Sequence, residues 1–417
     1  MSRRRPVPLL LGAEFSAGIA RAALATALGW QAYQRSHDPL VLGLLGLVEF
    51  LPALLLALPA GHVADRHDRR LVAACASAAA MAVALLLALD AASGDSEVWP
   101  LYVLAFCGGV AMAFEVPAFN PLFAASVPAA GLARVISLSS VAWQSATIVG
   151  PVTAGALQTV SDPAPYLAGA AASLIATVLL VAVPREIGTA HVPEDGHETA
   201  TWRDVTAGIR FVRGTPALLG AISLDLAAVL FGGATALLPV FSTDVLHVGA
   251  DGNGLLRAAG GLGAITVGIA LSAWPLRRRV GVILFVAVFT FGAATVAFGL
   301  STSFPLSLAA LFVLAGADMI SVLIRGTLSP LLTPPALRGR VSALESVFIR
   351  GSNELGAFES GVAAALIGAV SAVVLGGIAS MAVAILWCLW FPSLRRVDRF
   401  EDLPDPTAAE TTRAAAR

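Results

Sequence analysis

The chain has 417 residues, 57% of them AVILMFWYC and only 13% charged, with 39 Gly besides. Soluble domains carry about 45–50% apolar and about 25% charged residues; this composition, with a mean hydropathy of +0.83, excludes a soluble globular chain and a disordered one. The net charge of -1 leaves no global basic field for nucleic acid, and the implied class is an integral membrane protein.

Cys75, Cys107 and Cys388 stand far apart in apolar runs. An odd count at that spacing builds neither a disulfide framework nor a zinc site. All 26 basic residues are Arg. A chain without Lys cannot form a Walker A loop, whose Lys reaches the β/γ-phosphates, nor a Schiff base. No H-E-x-x-H or G-x-S-x-G run occurs, so neither an enzyme nor a cofactor is expected.

A bilayer-spanning helix needs about 20 mainly apolar residues. Twelve such stretches follow in order, at 9–34, 40–60, 71–89, 99–118, 135–160, 165–183, 214–240, 254–276, 280–300, 304–328, 341–366 and 370–392. Short polar breaks such as Ser36-His37-Asp38-Pro39 separate them. Barrel-type alternation is absent, so the stretches read as helices. Arg3-Arg4-Arg5 before an apolar run has the look of a signal peptide, but Glu14 and Arg21 interrupt that run; it reads as a retained first helix.

With the N-terminus in the cytoplasm, the loop arginines gather on that side. Only Arg35 and Arg257 are left opposite, with Arg21, Arg325 and Arg350 inside the stretches. This fits the positive-inside rule with both termini cytoplasmic. Residues 184–213 form the longest polar break and divide the stretches six and six. His191 and His197 flank its acids, Glu194 and Asp195, in what reads as a solvated linker. Val205, Ile209 and Val212 recur at helical spacing beside Arg203, Arg210 and Arg213, which predicts a short interfacial helix on anionic lipid. The expected domains are 1–183, the linker 184–213, 214–392 and a disordered tail, 393–417. Aligning Arg70 with Arg279 carries Glu14 to within two residues of Asp225, a faint sign of a repeat.

Ionisable groups inside a membrane are costly, so each is a functional candidate. The third, sixth, ninth and twelfth stretches carry none. The first carries Glu14 and Arg21, the second Glu49, the fourth Glu115, the seventh Asp225 and the tenth Asp318 and Arg325. The eleventh carries Glu345, Arg350, Glu354 and Glu359. This period of three predicts that helices 1, 4, 7 and 10 line a wet cavity and that 3, 6, 9 and 12 face lipid. Glu14 and Arg21 share a helix face, as do Asp318 and Arg325; Arg350 and Glu354 form an i,i+4 pair. Such groups either carry protons through a cycle or hold helices together as static ion pairs. Glu115, near the end of its stretch, is expected to snorkel. Trp30, Tyr33, Trp99 and Trp390 read as an interfacial belt, and Trp143, Phe106, Phe114, Phe231 and Phe241 as packing. Gly260-Gly261-Leu262-Gly263 reads as close helix packing rather than a phosphate loop.

Between the second and third stretches stands Gly61-His62-Val63-Ala64-Asp65-Arg66-His67-Asp68-Arg69-Arg70. It resembles the signature loop of the major facilitator superfamily, G-x-x-x-D-R-x-[GD]-R-R, at the same place in the chain. Leu51-Pro52, Leu58-Pro59-Ala60-Gly61, Phe211-Val212-Arg213, Leu238-Pro239-Val240-Phe241 and Arg338-Gly339-Arg340-Val341 are similar to the enterobactin-exporter and macrolide-efflux branch. The resemblance implies an all-α membrane fold of two six-helix bundles in the cell membrane. It also implies a gating loop of Gly61, Asp65, Arg66, Arg69 and Arg70, with Gly61 allowing close helix approach and Asp65 facing the N-terminal end of helix 11.

That branch implies a monomeric, proton-coupled exporter of an amphipathic small molecule. Its partners would be the substrate, protons and lipids, with Asp318, Arg325, Glu14, Arg21, Asp225, Glu49 and Glu115 in transport or coupling. Uptake of a metabolite or lipid, or a non-transporting sensor, are the alternatives. Three departures bear on direction. Gly150-Pro151 is followed by Val152-Thr153-Ala154-Gly155, one residue off the helix-5 antiporter pattern. The fourth stretch has no Arg, and the second-half loop keeps Arg277, Arg278 and Arg279 without the Gly and Asp.

Overall fold

The computed structural model describes residues 6–189, 202–334 and 337–403. Arg3-Arg4-Arg5, the linker residues His191, Glu194, Asp195 and His197, and the tail beyond Leu403 lie outside them, as do the side chains of Arg203, Val205 and Arg350. Among the described residues the chain is helical, without strands. Its packing forms two compact units, one in Met1–Thr199 and Ala236–Gly261, the other in Ala200–Thr235 and Leu262–Arg417.

The first unit begins with α1 (Pro6–Ser36) and α2 (Pro39–Leu55). Asp38 caps α2, its Oδ1 accepting from the Leu40 N–H at 2.9 Å, and Pro39 occupies the position where a missing N–H costs nothing. The chain resumes as α3 (Ala57–Arg66). The bend of 53° between Pro39–Leu55 and Pro59–Arg66 has a local cause: Pro59 has no N–H for the Leu55 carbonyl, and its ring crowds that oxygen. Then come α4 (Arg69–Ser93), α5 (Trp99–Ser126), α6 (Ala129–Gln158), α7 (Ala164–Ala182) and the single turn α8 (Arg185–Gly188).

The second unit opens with α9 (Trp202–Gly214), where the interfacial helix is predicted, and α10 (Pro216–Phe231). In α9, Val212 is buried while Arg210 and Arg213 are exposed. After Gly232-Gly233 the seventh stretch continues as a 3-10 turn, α11 (Leu238–Val240) and a π-helical turn, Phe241–Val245. These last pieces and the start of α12 (Gly249–Ala273) pack in the first unit. The second unit is completed by α13 (Val280–Leu300), α14 (Phe304–Leu332), α15 (Arg338–Ile367), α16 (Ala369–Trp390) and α17 (Pro392–Arg395).

Ten of the described helices are long and apolar enough to cross a membrane, and the broken α2–α3 pair reaches an eleventh. The helix over the eleventh stretch, α15, has the length, 30 residues, but is studded with Glu and Arg. Exposed apolar side chains run along α4 (Leu85, Leu86, Leu89), α7 (Leu174, Ile175, Val178), α13 (Val282, Val286) and α16 (Leu375, Ile378, Ile385). These are the helices over the third, sixth, ninth and twelfth stretches.

Helix contact relies on small residues, as expected where lipid removes the hydrophobic drive for association. A Cβ at Gly150 on α6 would meet the Ala22 Cβ at 2.7 Å and the Ala23 nitrogen at 3.0 Å on α1. The displaced helix-5 motif thus serves a backbone-to-backbone contact. A Cβ at Gly109 on α5 would run into the Glu49 carbonyl oxygen on α2. Gly61 is different from its expected role: a Cβ there would meet nothing within 4 Å, so close approach rests on Gly109 and Gly150 instead.

Two charges sit where the sequence did not place them. Helix α4 runs on to Ser93 and takes in Asp90, so the third helix is not free of charge, and Arg257 lies within α12 rather than in a loop. Asp90 joins a network: Arg35 Nη2 donates to its Oδ2 at 2.8 Å and Gln31 Nε2 at 3.3 Å, while the buried Tyr166 hydroxyl donates to Gln31 Oε1.

Candidate functional site

The signature loop is positioned by its helices. Asp68 caps α4, accepting from the Arg70 N–H at 3.1 Å, and its other oxygen pairs with Arg70 at 3.3 Å. Arg70 Nη1 donates to the Val183 carbonyl at 2.8 Å and the Val181 carbonyl at 3.3 Å, covering the carbonyl end of α7, where a cation is favoured. A Cβ at Gly188 would collide with Asp68 Oδ1, so α8 closes over this knot only as glycine. Asp65 is 71% exposed along its side chain and pairs with Arg69 one turn on, at 2.9 Å; Arg66 is exposed.

In the second unit, the acid missing from the corresponding loop arrives from the far end of the chain. Asp398 Oδ1 accepts from the Arg279 N–H at 2.9 Å, and its Oδ2 from Arg278 Nε at 3.3 Å. The Val397 and Asp398 carbonyls accept from Gly281 and Val280 at 3.0 and 3.2 Å. The Arg279 backbone bond, with Arg278 beside it, holds the Asp398 carboxyl below the usual aspartate range.

The intramembrane charges pair across helices, not along them. Arg21 on α1 reaches Glu115 on α5 at 2.7 Å, and Arg325 on α14 reaches Asp225 on α10 at 2.7 Å. The same-face partners Glu14 and Asp318 stand seven residues away, about 10.5 Å along a helix, beyond direct contact. Glu115 does not snorkel. Helix α5 continues to Ser126 through Pro117 and Pro121, which leaves Glu115 well inside it and only 5% exposed.

Each unit therefore holds a bridged pair whose Arg shares its helix with an acid outside the bridge. In the first, Glu14 Oε1 accepts from Ser139 at 2.8 Å, while its buried Oε2 has no hydrogen-bond partner. Arg21 also lies 4.8 Å above the Trp143 ring. Glu49 on α2 feels the charge of Arg257 on α12, and Arg257 is 3.5 Å from the Thr26 hydroxyl.

In the second unit, Asp225 and Arg325 are buried, and Arg325 Nε donates to Ser321 at 3.3 Å. Two small recesses adjoin them. One, of about 190 Å³, is lined by Asp225, Arg325, Glu345 and Phe348. The other, of about 220 Å³, is lined by Asp225, Asp318, Ser321 and Phe291. Each has room for about one water molecule.

Pairing across helices is a tertiary fact, which is why spacing alone misassigned it. Tyr33 was also missed: it is buried, not part of an interfacial belt, and its hydroxyl donates to Asp244. The one available signal was that a Tyr and a Gln, Tyr33 and Gln34, precede the break together; Gln34 donates to Thr243 at 3.2 Å. Of the aromatics read as packing, Phe241 is fully buried, whereas Trp143 is 41% exposed.

Long apolar helices, small-residue contacts and bridged charges in the interior define a multi-pass helical membrane protein. The chain belongs to the Major Facilitator Superfamily, whose family model matches residues 10–351. Among its relatives, the MFS-type transporter YfiS of Bacillus subtilis is 28% identical over 48% of this chain and 47% of its own, so that match spans about half the relative's length. The enterobactin exporter EntS of Citrobacter koseri is 26% identical over 83% of this chain and 82% of its own. Macrolide efflux protein A of Streptococcus pyogenes is 27% identical over 40% of this chain and 42% of its own. Exporters of this kind are the branch the sequence motifs resemble.

Solved structures agree on the fold. An inward-facing bacterial homologue of the human lysosomal transporter Spinster superposes with a TM-score of 0.72 at 16% identity, over 95% of this chain and 97% of its own. A POT family transporter in complex with 5-aminolevulinic acid gives 0.75 at 10% identity, over 94% and 96%.

Proposed function

We propose that this protein is a proton-coupled exporter of amphipathic small molecules, working by alternating access in the cytoplasmic membrane. It would have twelve spans in two six-helix halves, 1–183 and 214–392, with both termini inside. In this reading α15 is the remaining span, its acids turned away from lipid, and the protein works as a monomer.

The observation that carries the reading is the surplus of acid around Arg325. Asp225, Asp318 and Glu345 line two recesses that meet at Asp225, the ion-pair partner of Arg325. Arg325 balances one carboxylate, Asp225; the others reach electrical balance by holding a proton or another cation. The recesses admit a proton or water but no drug-sized ligand. Asp318 would take up and release the coupling proton beside the Asp225–Arg325 pair. Glu14, Arg21, Glu49 and Glu115 would serve substrate and helix movement in the other half. Asp65, Arg66, Arg69 and Arg70, with Gly61, would form the gating loop. The exporter names of the relatives support the direction.

The test uses inside-out vesicles with an imposed proton gradient and a pH-sensitive dye, challenged with siderophores, macrolides and amphipathic cations. Substrate-dependent dissipation in wild type that is lost in Asp318→Asn, at equal expression, is expected. Wild-type and Asp318→Asn vesicles that respond alike would remove Asp318 from coupling. Accumulation of substrate in intact cells, rather than its depletion, would reverse the direction.

A further inference from the structure

We propose that one face of the first unit, built on Ile136, Ser139 and Trp143 of α6 around Glu14 of α1, binds an amphipathic organic cation. This rests on the transport reading and names its substrate class. The three α6 residues are spaced three and four apart, so they share one helix face. Ile136 is 53% exposed and Trp143 41% exposed, giving an apolar flank and an aromatic plate. Between them Ser139 donates to Glu14 Oε1 at 2.8 Å.

The charges decide the sign of the ligand. Arg21 is engaged by Glu115 at 2.7 Å and by the Trp143 ring at 4.8 Å, with its buried Nε left without a hydrogen-bond partner. Glu14 keeps Oε2 without a hydrogen-bond partner. With two acids against one base, the local balance is one negative charge. A buried carboxylate oxygen without a donor is costly, and a cation or N–H beside it removes that cost. The exposed part of the Trp143 ring favours a positive group as well. In the second unit the surplus acids line two small recesses with Phe348 and Phe291, without the exposed Trp that stands beside Glu14.

Tetraphenylphosphonium and tetraphenylborate, alike in shape and opposite in charge, test this on the purified full-length protein. Equilibrium binding is measured in detergent, corrected for empty micelles and without any proton gradient. The cation is expected to bind at least about tenfold more tightly than the anion. Glu14→Gln should abolish that preference and Glu14→Asp keep it. Trp143→Ala should weaken both ions and Trp143→Phe largely restore them.

Equal affinity for the two ions, or an unchanged cation affinity in a monodisperse Glu14→Gln protein, would overturn the proposal. Tighter binding of the borate would do the same and assign the face to Arg21. Because binding is read without a gradient, charge-selective binding with silent vesicles would sink coupled export and leave the site standing. Coupled transport without charge selectivity would do the reverse.

Discussion

The Arg325 guanidinium lies 2.7 Å from the Asp225 carboxylate, joining α14 to α10 with both side chains almost wholly enclosed. Its same-helix companion Asp318 is left beside the pair. The first unit repeats the arrangement with Arg21, Glu115 and Glu14. In both, the Arg lies seven residues after the acid outside the bridge. Each Arg thus ties two helices together, while the acid outside the bridge stays about 10.5 Å along the helix from it.

Removing Arg325 strands Asp225. Breaking a buried pair from one side costs about 3–5 kcal/mol, because an uncompensated charge is left inside. Arg325→Leu should therefore lose stability in thermal unfolding of the detergent-solubilised protein. The double variant Asp225→Asn with Arg325→Gln should recover most of it, yet stay inactive in the vesicle assay. A double variant no more stable than Arg325→Leu would show that the pair does not hold α10 to α14.

Gly109 and Gly61 should respond in opposite ways to the same methyl group. A Cβ at Gly109 meets the Glu49 carbonyl oxygen, whereas one at Gly61 meets open space. Gly109→Ala should cost about 1–3 kcal/mol, as overpacking does, seen as a lower unfolding temperature. Gly61→Ala should stay within about 0.5 kcal/mol of wild type. A transport defect in a stable Gly61→Ala protein would mean that Gly61 acts in another conformation of the cycle.

The Tyr33 hydroxyl donates to Asp244, tying α1 to the π-helical turn that follows α11. Tyr33→Phe leaves that carboxylate without its donor, at about 1–3 kcal/mol. Hydrogen exchange should rise at residues 241–248 and not in α13. Exchange unchanged at Thr243 and Asp244 would show that Gln34 and the helix backbone hold the turn without Tyr33.

Asp398 sets a pH dependence with a definite sign. Its carboxyl is held below the usual value by the Arg279 N–H and by Arg278. A lowered value means that ionised Asp398 stabilises the cap at neutral pH. That contribution is fully present above the ordinary aspartate value of about 3.9 and is lost as pH falls through the lower folded value. Protection of the 279–281 amides, corrected for intrinsic exchange, should fall in that acid range in wild type. In Asp398→Asn it should be weaker throughout and flat with pH; a flat wild-type profile would dismiss the cap.

The signature loop shows how far local sequence reaches. Asp68 and Arg70 do what their positions promise, since an N-cap and a C-terminal cation act within a turn or two of the chain. The matching acid of the second half was invisible, because Asp398 lies 119 residues beyond Arg279. Asp90 escaped for a smaller reason: it follows the last residue of an apolar run, and helix ends are not marked by hydropathy alone.

By itself, the sequence determined that this is a membrane protein of many apolar helices and the family to which it belongs. Those are properties of composition and short-range periodicity, set by what a bilayer tolerates. The tertiary structure decided which charges meet. It placed Arg21 on Glu115 and Arg325 on Asp225, buried Glu115 and Tyr33, and brought Asp398 to the head of α13. A buried ion pair needs a distance of a few ångströms between separate helices, and only their packing, through contacts such as Gly109 on Glu49 and Gly150 on Ala22, sets that distance.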